Sequence, residues 1–256
     1  MAETPPQKAG PISIVNDLRA SDISAALAAG WRDFLSHPQY ALTLSAIYVV
    51  AGIAITYALL NYGQVVWLVP AAAVFPLLAP FTAVGIYEVS RRREAGLPIG
   101  WGNVLGALRG RGDDQILGLG VIIFVIFAFW VILAHGIFYI FLAEAGLMTE
   151  SLELFQTTAG IVMLMVGSAV GGGIALTFFC LTVMSLPMLI DRDIDLITAM
   201  IASWQTVSMN KAVMLGWAAL IALALFIGSV PVFLGLLIVL PILGHASWHL
   251  YRRAIG

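Results

Sequence analysis

The sequence predicts an all-α, polytopic membrane protein with six transmembrane helices, arranged as three in-out-in hairpins that each follow an amphipathic helix at the membrane surface. Three observations lead to this fold class. The composition has 61% hydrophobic and 10% charged residues and a mean hydropathy of +0.99, which is far too apolar for an ordinary soluble domain. The apolar residues form runs long enough to cross a bilayer. The basic residues fall in alternate connections between these runs.

The amino-terminal residues 1–20 are expected to form a disordered cytoplasmic tail, followed by one membrane domain over 21–256. The tail begins with the polar, proline-containing stretch "MAETPPQKAGP", and no apolar run begins before Ala41. A cleaved secretory signal would need a basic start followed at once by an apolar stretch. We therefore expect this terminus to stay uncleaved.

The predicted spans follow the apolar runs. A hydrocarbon core needs about 20 apolar residues in a helix. Four runs satisfy this requirement, near 41–61, 65–89, 115–142 and 157–190. The apolar region 212–250 is too long for one span and contains "GSVP" at 228–231, where Gly and Pro can turn the chain. Splitting it there gives a fifth and a sixth span.

The basic residues predict that both termini lie in the cytoplasm. Every Lys and Arg then falls on one side of the membrane: Lys8, Arg19, Arg32, Arg91, Arg92, Arg93, Arg109, Arg111, Arg192, Lys211, Arg252 and Arg253. The only charged residues in the opposite connections are Glu144, Glu150 and Glu153. Because cytoplasmic loops are enriched in Lys and Arg, the basic side is expected to be the cytoplasmic one.

Amphipathic helices are expected before the hairpins. Apolar residues recur at helical spacing in two similar stretches: Ile23, Leu27, Trp31 and Phe34, then Ile197, Met200, Ile201 and Trp204. "GWGNVLGAL" at 100–108 precedes the third span, and the acidic "DRDID" at 191–195 suits the start of the second of these helices. The tryptophans expected to anchor the chain among the lipid headgroups are Trp31, Trp101, Trp204 and Trp248.

The hairpins are expected to be repeats, over about 21–93, 98–193 and 194–253. "PFTAVGIYEVSRR" from Pro80 aligns with "PILGHASWHLYRR" from Pro241, and His37 aligns with Asn210. Such repeats would be related by an axis along the membrane normal. The alternative is that any hairpin protein with basic helix ends aligns in this way.

Glu88 and His249 form a candidate structural pair, because the repeat aligns them at the same depth. An ionisable group even slightly inside a bilayer needs a partner, and a charge-assisted hydrogen bond between these two would supply one. The alternative is that Glu88 pairs with Arg91 or Arg92 on its own helix, or extends to water.

The candidates for a metal site are His245, His249 and His37, with Glu88 as a fourth ligand. A pair at i and i+4 can bind a metal from one helix face, but the Glu that the zincin signature places between its histidines is absent. His135 lies about 30 Å from the basic side by helical rise and cannot share a haem iron with His245. We therefore expect no metal, haem or other cofactor and no catalytic residues.

Four stretches resemble a bacterial family of predicted integral membrane proteins classed as a domain of unknown function: "GWRDFLSHPQYAL", "PLLAPFTAVGIYEVSRR", "SLPMLIDRDID" and "VLPILGHASWHLYRR". The resemblance extends over the chain from about residue 20 and implies a protein of the bacterial inner membrane. Some members carry the label cytochrome c oxidase subunit I. The catalytic subunit of that name needs more spans and more histidine ligands than this chain has, so the chain is not that enzyme.

These observations predict a non-enzymatic accessory or scaffold protein that contacts the lipid bilayer and other membrane proteins, with a respiratory oxidase as one candidate partner. No feature indicates nucleic-acid binding. One alternative is a channel or transporter for a small or apolar solute, favoured by "GGG" at 171–173 and disfavoured by the lack of Asp, Lys and Arg between the predicted interfaces. The other is a metal- or haem-binding membrane protein.

Overall fold

A computed structural model of the chain describes residues 12–63, 75–107, 115–144 and 156–256. These ranges contain ten helices and no β-strand beyond one isolated bridge, which confirms the all-α class for this part of the chain. The helices are α1 (Ala20–Ser36), α2 (Pro38–Asn61), α3 (Phe75–Glu94), α4 (Trp101–Gly106), α5 (Gln115–Glu144), α6 (Thr158–Thr182), α7 (Ser185–Asp191), α8 (Leu196–Met209), α9 (Lys211–Ser229) and α10 (Leu236–Ala254).

Among the described residues, four helical segments are long and apolar enough to cross a membrane. They are α2 (Pro38–Asn61), Gly118–Ala143 within α5, Thr158–Asp191 across α6 and α7, and α9 (Lys211–Ser229). The remaining two predicted spans correspond to α3 and α10, which have 20 and 19 residues but end in polar and basic turns. Part of the predicted second span, 65–74, lies outside the described residues. The total of six spans therefore stays a prediction.

The helix pairs α1–α2 and α8–α9 have the same local structure. His37 ends α1 and begins α2 with φ −140° and ψ 58°, while Asn210 ends α8 and begins α9 with φ −120° and ψ 41°. These two residues are aligned in the predicted repeat. Asp195 caps α8 by accepting a hydrogen bond from the backbone N–H of Thr198, at 2.9 Å, as expected for the acidic stretch before this helix.

Helix α10 lies at the centre of the packing, and α1 crosses it at very short range. A Cβ atom on Gly30 would lie 2.6 Å from the backbone nitrogen of Ala246 and 2.9 Å from the carbonyl oxygen of Ile242. Both of these atoms belong to the backbone of α10 and cannot rotate away. The absence of a side chain at Gly30 is therefore what allows the two backbones to approach so closely.

The core is concentrated at the carboxyl-terminal half of α10. Trp248 and Tyr251 are buried there, together with Met184 and Met188 at the start of and within α7. The spanning segments of α5 and α9 are different, because only 6% and 17% of the residues in an apolar 18-residue stretch of each are buried inside the chain. The polar ends of α3, α7 and α10 thus hold the tightest packing, whereas α5 presents an apolar surface.

The segment 12–18 pairs with the carboxyl terminus, which corrects the prediction of a disordered tail over these residues. Ile14 and Ile255 form an antiparallel bridge. Asn210 donates from Nδ2 to the carbonyl oxygen of Val15, at 2.8 Å, and accepts a hydrogen bond from the backbone N–H of Leu18, at 3.1 Å. Several sequence predictions fall outside the described residues: the tail over 1–11, the loop around Arg109 and Arg111, and the loop with Glu150 and Glu153.

Candidate functional site

A buried polar cluster lies where α1, α3 and α10 meet. Its members are Asp33 on α1, Ser90 and Arg93 on α3, and His245 and His249 on α10, and we call these five residues the Asp33 cluster. Asp33 and Ser90 are each 1% exposed, and His245 is 0% exposed. Buried ionisable groups in a membrane protein are expensive and normally have dedicated partners, so this cluster is the candidate functional site.

Both carboxylate oxygens of Asp33 are occupied. Oδ2 accepts hydrogen bonds from Ser90 Oγ at 2.6 Å and from His249 Nε2 at 2.9 Å, while Oδ1 accepts from the guanidinium of Arg93. Burial alone would raise the pKa of Asp33, but the hydrogen bonds from His249 and Ser90 outweigh it and leave that pKa below its ordinary value. Asp33 is therefore ionised at neutral pH.

The ionised Asp33 fixes the direction of the neighbouring hydrogen bonds. A carboxylate only accepts, so Ser90 gives its one hydroxyl proton to Asp33. The Oγ atom of Ser90 then accepts from Nδ1 of His245, 2.7 Å away. This assigns a proton to Nδ1 of His245 and leaves Nε2 as an acceptor. Nε2 is buried and has no hydrogen-bond partner among the described residues.

Helical spacing explains how each element presents its part of the cluster. Ser90 and Arg93 are three residues apart on α3, and His245 and His249 are four apart on α10, so each pair shares a helix face. Asp33 follows Gly30 by three residues on α1. The close crossing at Gly30 therefore brings the Asp33 carboxylate within reach of the other two helices.

The arrangement is unlike a hydrolytic triad. In such a triad the histidine accepts the proton of the serine hydroxyl, whereas here His245 donates to Ser90 and the hydroxyl proton is directed to Asp33. Ser90 is also enclosed by protein. The chemistry that the geometry supports is hydrogen bonding and proton binding within the cluster.

A group of ion pairs surrounds the cluster at the helix ends. Arg252 on α10 contacts Glu94 and Asp191, each at 3.1 Å, and Arg253 contacts Asp22 at 3.3 Å. Each partly exposed pair contributes little by itself. Together they join the ends of α1, α3, α7 and α10 on one side of the molecule.

The comparisons with known proteins agree with the resemblance drawn from the sequence. Residues 68–191 match the model of a family described as "Predicted integral membrane protein (DUF2189)". The chain is thus a predicted integral membrane protein with several helices apolar enough to span. The description of this family does not mention an oxidase. No curated protein and no solved structure matches the chain.

Glu88 and His249, the expected structural pair, have other partners in the structure. Glu88 receives hydrogen bonds from Arg91 at 2.7 Å and from Arg92 at 2.6 Å. This is the within-helix alternative considered from the sequence, and it arises because arginines at i+3 and i+4 lie on the same face as Glu88. His249 is bound to Asp33 instead.

The four candidate metal ligands do not come together. His245 and His249 meet at Asp33, whereas Glu88 is bound by two arginines and Nδ1 of His37 lies 3.0 Å from the hydroxyl of Ser36. In the ranges that the structure describes, no group of three or more His, Cys, Asp and Glu side chains is placed to hold a metal ion.

The four tryptophans that were predicted to anchor the chain in the headgroup region divide into two groups. Trp31, Trp101 and Trp204 are exposed on α1, α4 and α8, as a headgroup anchor requires. Trp248 is buried and donates from Nε1 to Glu94, at 3.0 Å. The predicted interfacial role of Trp248 is therefore corrected, because its ring packs between helices.

Asp33, Ser90 and Arg93 were not singled out from the sequence as members of one site. The signal that could have found Asp33 is the run of small residues on its face, since Ala26 and Gly30 precede it at helical spacing and all three are buried. A lone acid in line with small residues indicates a helix face that packs closely against another helix.

Proposed function

We propose that the protein is a non-enzymatic accessory or scaffold protein of the bacterial inner membrane, acting through contacts with lipid and with other membrane proteins. The observation that carries the proposal is the exposure of α5. In an apolar 18-residue stretch of its spanning segment Gly118–Ala143, only 6% of the residues are buried inside the chain. Its exposed apolar side chains, among them Phe124, Phe129 and Ile132, are free to contact lipid or a partner helix.

The Asp33 cluster supports the non-enzymatic part of the proposal. Its carboxylate, hydroxyl and guanidinium groups bind one another, and Asp33 and Ser90 are enclosed. An active site needs a nucleophile or acid–base group that a substrate can reach. The cluster instead fixes the positions of three helices.

The proposed topology has six spans with both termini in the cytoplasm. α3 and α10, the two spans not identified by hydropathy, have 20 and 19 residues, enough for a span of about 30 Å. Their carboxyl-terminal turns carry Arg91–Arg93, Arg252 and Arg253, which lie together at one end of the molecule. The positive-inside rule makes this the cytoplasmic end.

The amphipathic helices α1 and α8 are proposed to lie in the headgroup region at that end. Trp31 and Leu35 are exposed on α1, and Ile197, Ile201 and Trp204 are exposed on α8. Neither helix is long and apolar enough to be a candidate span. Apolar stripes on short helices beside basic residues favour contact with a membrane surface.

Photo-crosslinking in native membranes tests whether α5 contacts a partner protein. A photoreactive amino acid replaces Phe124 or Ile132, two exposed residues of α5, and buried Trp217 serves as the matched control position. We expect a reproducible protein adduct from α5 and none from position 217. Adducts with lipid alone, from α5 and from other exposed faces, would remove the scaffold proposal. Adducts with subunits of a respiratory oxidase would identify the partner suggested by the label cytochrome c oxidase subunit I, which some members of the resembled family carry.

The alternatives predict different results with the purified chain. A channel or transporter for a small or apolar solute predicts solute flux in proteoliposomes that the empty liposomes lack. A metal or haem protein predicts a stoichiometric metal or a Soret band that is lost in His245→Ala or His249→Ala. Colourless, metal-free protein without flux is the outcome that agrees with the scaffold proposal.

A further inference from the structure

The surroundings of His245 suit a neutral imidazole. Its side chain is completely buried, and its Nδ1 is used by Ser90 at 2.7 Å. Its Nε2 lies inside the protein without a hydrogen-bond partner among the described residues. A proton added at Nε2 would create a buried N–H group without an acceptor, together with a buried positive charge. Both are costly inside a protein.

The charges around His245 do not compensate for such a proton. The charged and titratable groups that act on it electrostatically are Asp33 and His37 from α1, Arg93 from α3, and His249 from its own helix. Asp33 is the only acid in this set, and Arg93 already neutralises it by binding Oδ1. A protonated His245 would therefore give the buried cluster an excess positive charge.

The contacts that hold α1 in place depend on the same atoms. Asp33 is bound by Ser90, Arg93 and His249 from the two neighbouring helices. The backbone of α1 lies against α10 at Gly30, directly beside Ala246, the residue after His245. Little adjustment is available at such a close crossing, so rearrangement around His245 must move α1.

We propose that the Asp33 cluster is a proton-binding site that controls the docking of α1: α1 stays docked on α3 and α10 while His245 is neutral, and uptake of a proton at Nε2 of His245 releases it. The step forms one N–H bond at Nε2 and breaks one O–H bond of a hydronium ion, which is left as water. This inference concerns regulation and is independent of whether the protein acts as a scaffold.

The expected pH range follows from the released state. A histidine in water has a pKa of about 6.5, so the docked state should lose about tenfold in its equilibrium constant for each pH unit below that value. Asp33 does not account for a transition in this range, because its pKa lies below the ordinary carboxyl value and it stays ionised at pH 5.

The test measures the distance between α1 and α8 in the full chain in lipid nanodiscs. The free cysteine Cys180 is first replaced by Ala, and spin labels are placed at the exposed positions Ala28 on α1 and Ser208 on α8. We expect a single narrow distance distribution at pH 8 and a second, broader population that dominates at pH 5. An unchanged distribution from pH 8 to pH 5 would overturn the proposal.

Two variants attribute the change to one histidine. His245→Gln cannot take up the proton, so its distance distribution should stay narrow at pH 5. His135→Gln is the matched control and should keep the response, because His135 lies on α5, outside the Asp33 cluster. An undiminished response in His245→Gln would contradict the proposal.

A spectroscopic measurement on the unmodified chain covers the case in which His245→Gln does not fold. Histidine labelled with ¹⁵N reports which ring nitrogen carries the proton, and the four histidines are assigned by replacing His37, His135 and His249 in turn. At pH 8 we expect His245 to be neutral with its proton on Nδ1. Detection of the Nε2–H tautomer, or of a charged ring at pH 8, would show that the cluster is not built as proposed.

Discussion

At the residue scale, Asp33 determines how the junction of three helices is held. Its carboxylate is buried, carries a negative charge and has a donor from each of the neighbouring helices α3 and α10. Removing the charge would weaken the hydrogen bonds that Ser90, Arg93 and His249 donate to this carboxylate. The Arg93 side chain is 42% exposed, so water compensates in part for its lost counter-charge.

Asp33→Asn should therefore destabilise the protein by about 1–3 kcal/mol, the usual cost of weakening hydrogen bonds to a buried charged group. The measurement is the apparent melting temperature in mild detergent. The matched control is Asp195→Asn, because Asp195 is exposed and caps α8, a position where Asn serves about as well as Asp. Equal losses in the two variants would show that the Asp33 ion pair has no special role.

The contribution of Asp33 to the stability of the folded protein should decrease at low pH. The pKa of Asp33 is lower in the folded protein than its ordinary value of about 3.9. Its stabilising contribution is fully present above about pH 5 and is lost as the pH falls through the folded pKa. In His245→Gln, protonation of that histidine no longer affects stability. The melting temperature of this variant should stay constant from pH 7 to pH 5 and decrease when the pH is lowered below about 4.

The sequence identified His245 and His249 but could not identify their partner. Two histidines one turn apart on a helix are visible in a sequence, whereas Asp33 is more than two hundred residues away from them. Their meeting depends on how α1 crosses α10, which is a tertiary contact. For Glu88, the two arginines on its own helix were a visible alternative, and sequence alone could not decide between them and His249.

At the element scale, the crossing of α1 and α10 depends on Gly30. Gly30→Ala would place a methyl group 2.6 Å from a backbone atom of α10 and force the helices apart. We expect a loss of about 1–3 kcal/mol, as for other overpacked sites, seen as a lower melting temperature. Gly172→Ala on α6 is the control. It has open space around it, and there Ala should be neutral or stabilising by up to about 1 kcal/mol.

Helix boundaries were predictable where apolar residues dominate. The predicted spans 41–61 and 115–142 correspond to Pro38–Asn61 and Gln115–Glu144. The face of α1 that packs against protein was not predicted. The stripe of Ile23, Leu27, Trp31 and Phe34 was expected to face the membrane surface, and Trp31 is exposed, whereas Phe34 is buried with the small residues beside Asp33. The bulkiest stripe of a surface helix can face lipid while its small residues pack against protein.

At the scale of the whole molecule, polar and apolar surfaces lie in different regions. Ion pairs and the Asp33 cluster gather at the ends of α3 and α10, whereas α5 and α9 expose long apolar surfaces. The composition predicted a membrane protein, and the family match agrees with it. The number of spans was harder to predict because α3 and α10 combine an apolar length with a polar end.

The most direct test of the account is whether α3 and α10 cross the membrane. Single cysteines are placed in the Cys180→Ala chain on either side of each helix, at Tyr62 and Leu97 for α3 and at Val230 and Gly256 for α10, all of them exposed. A membrane-impermeant maleimide should label positions 62 and 230 in intact cells, and positions 97 and 256 only after permeabilisation. Labelling of both positions of either pair from the same side would show that the helix between them does not cross, and would contradict the six-span protein.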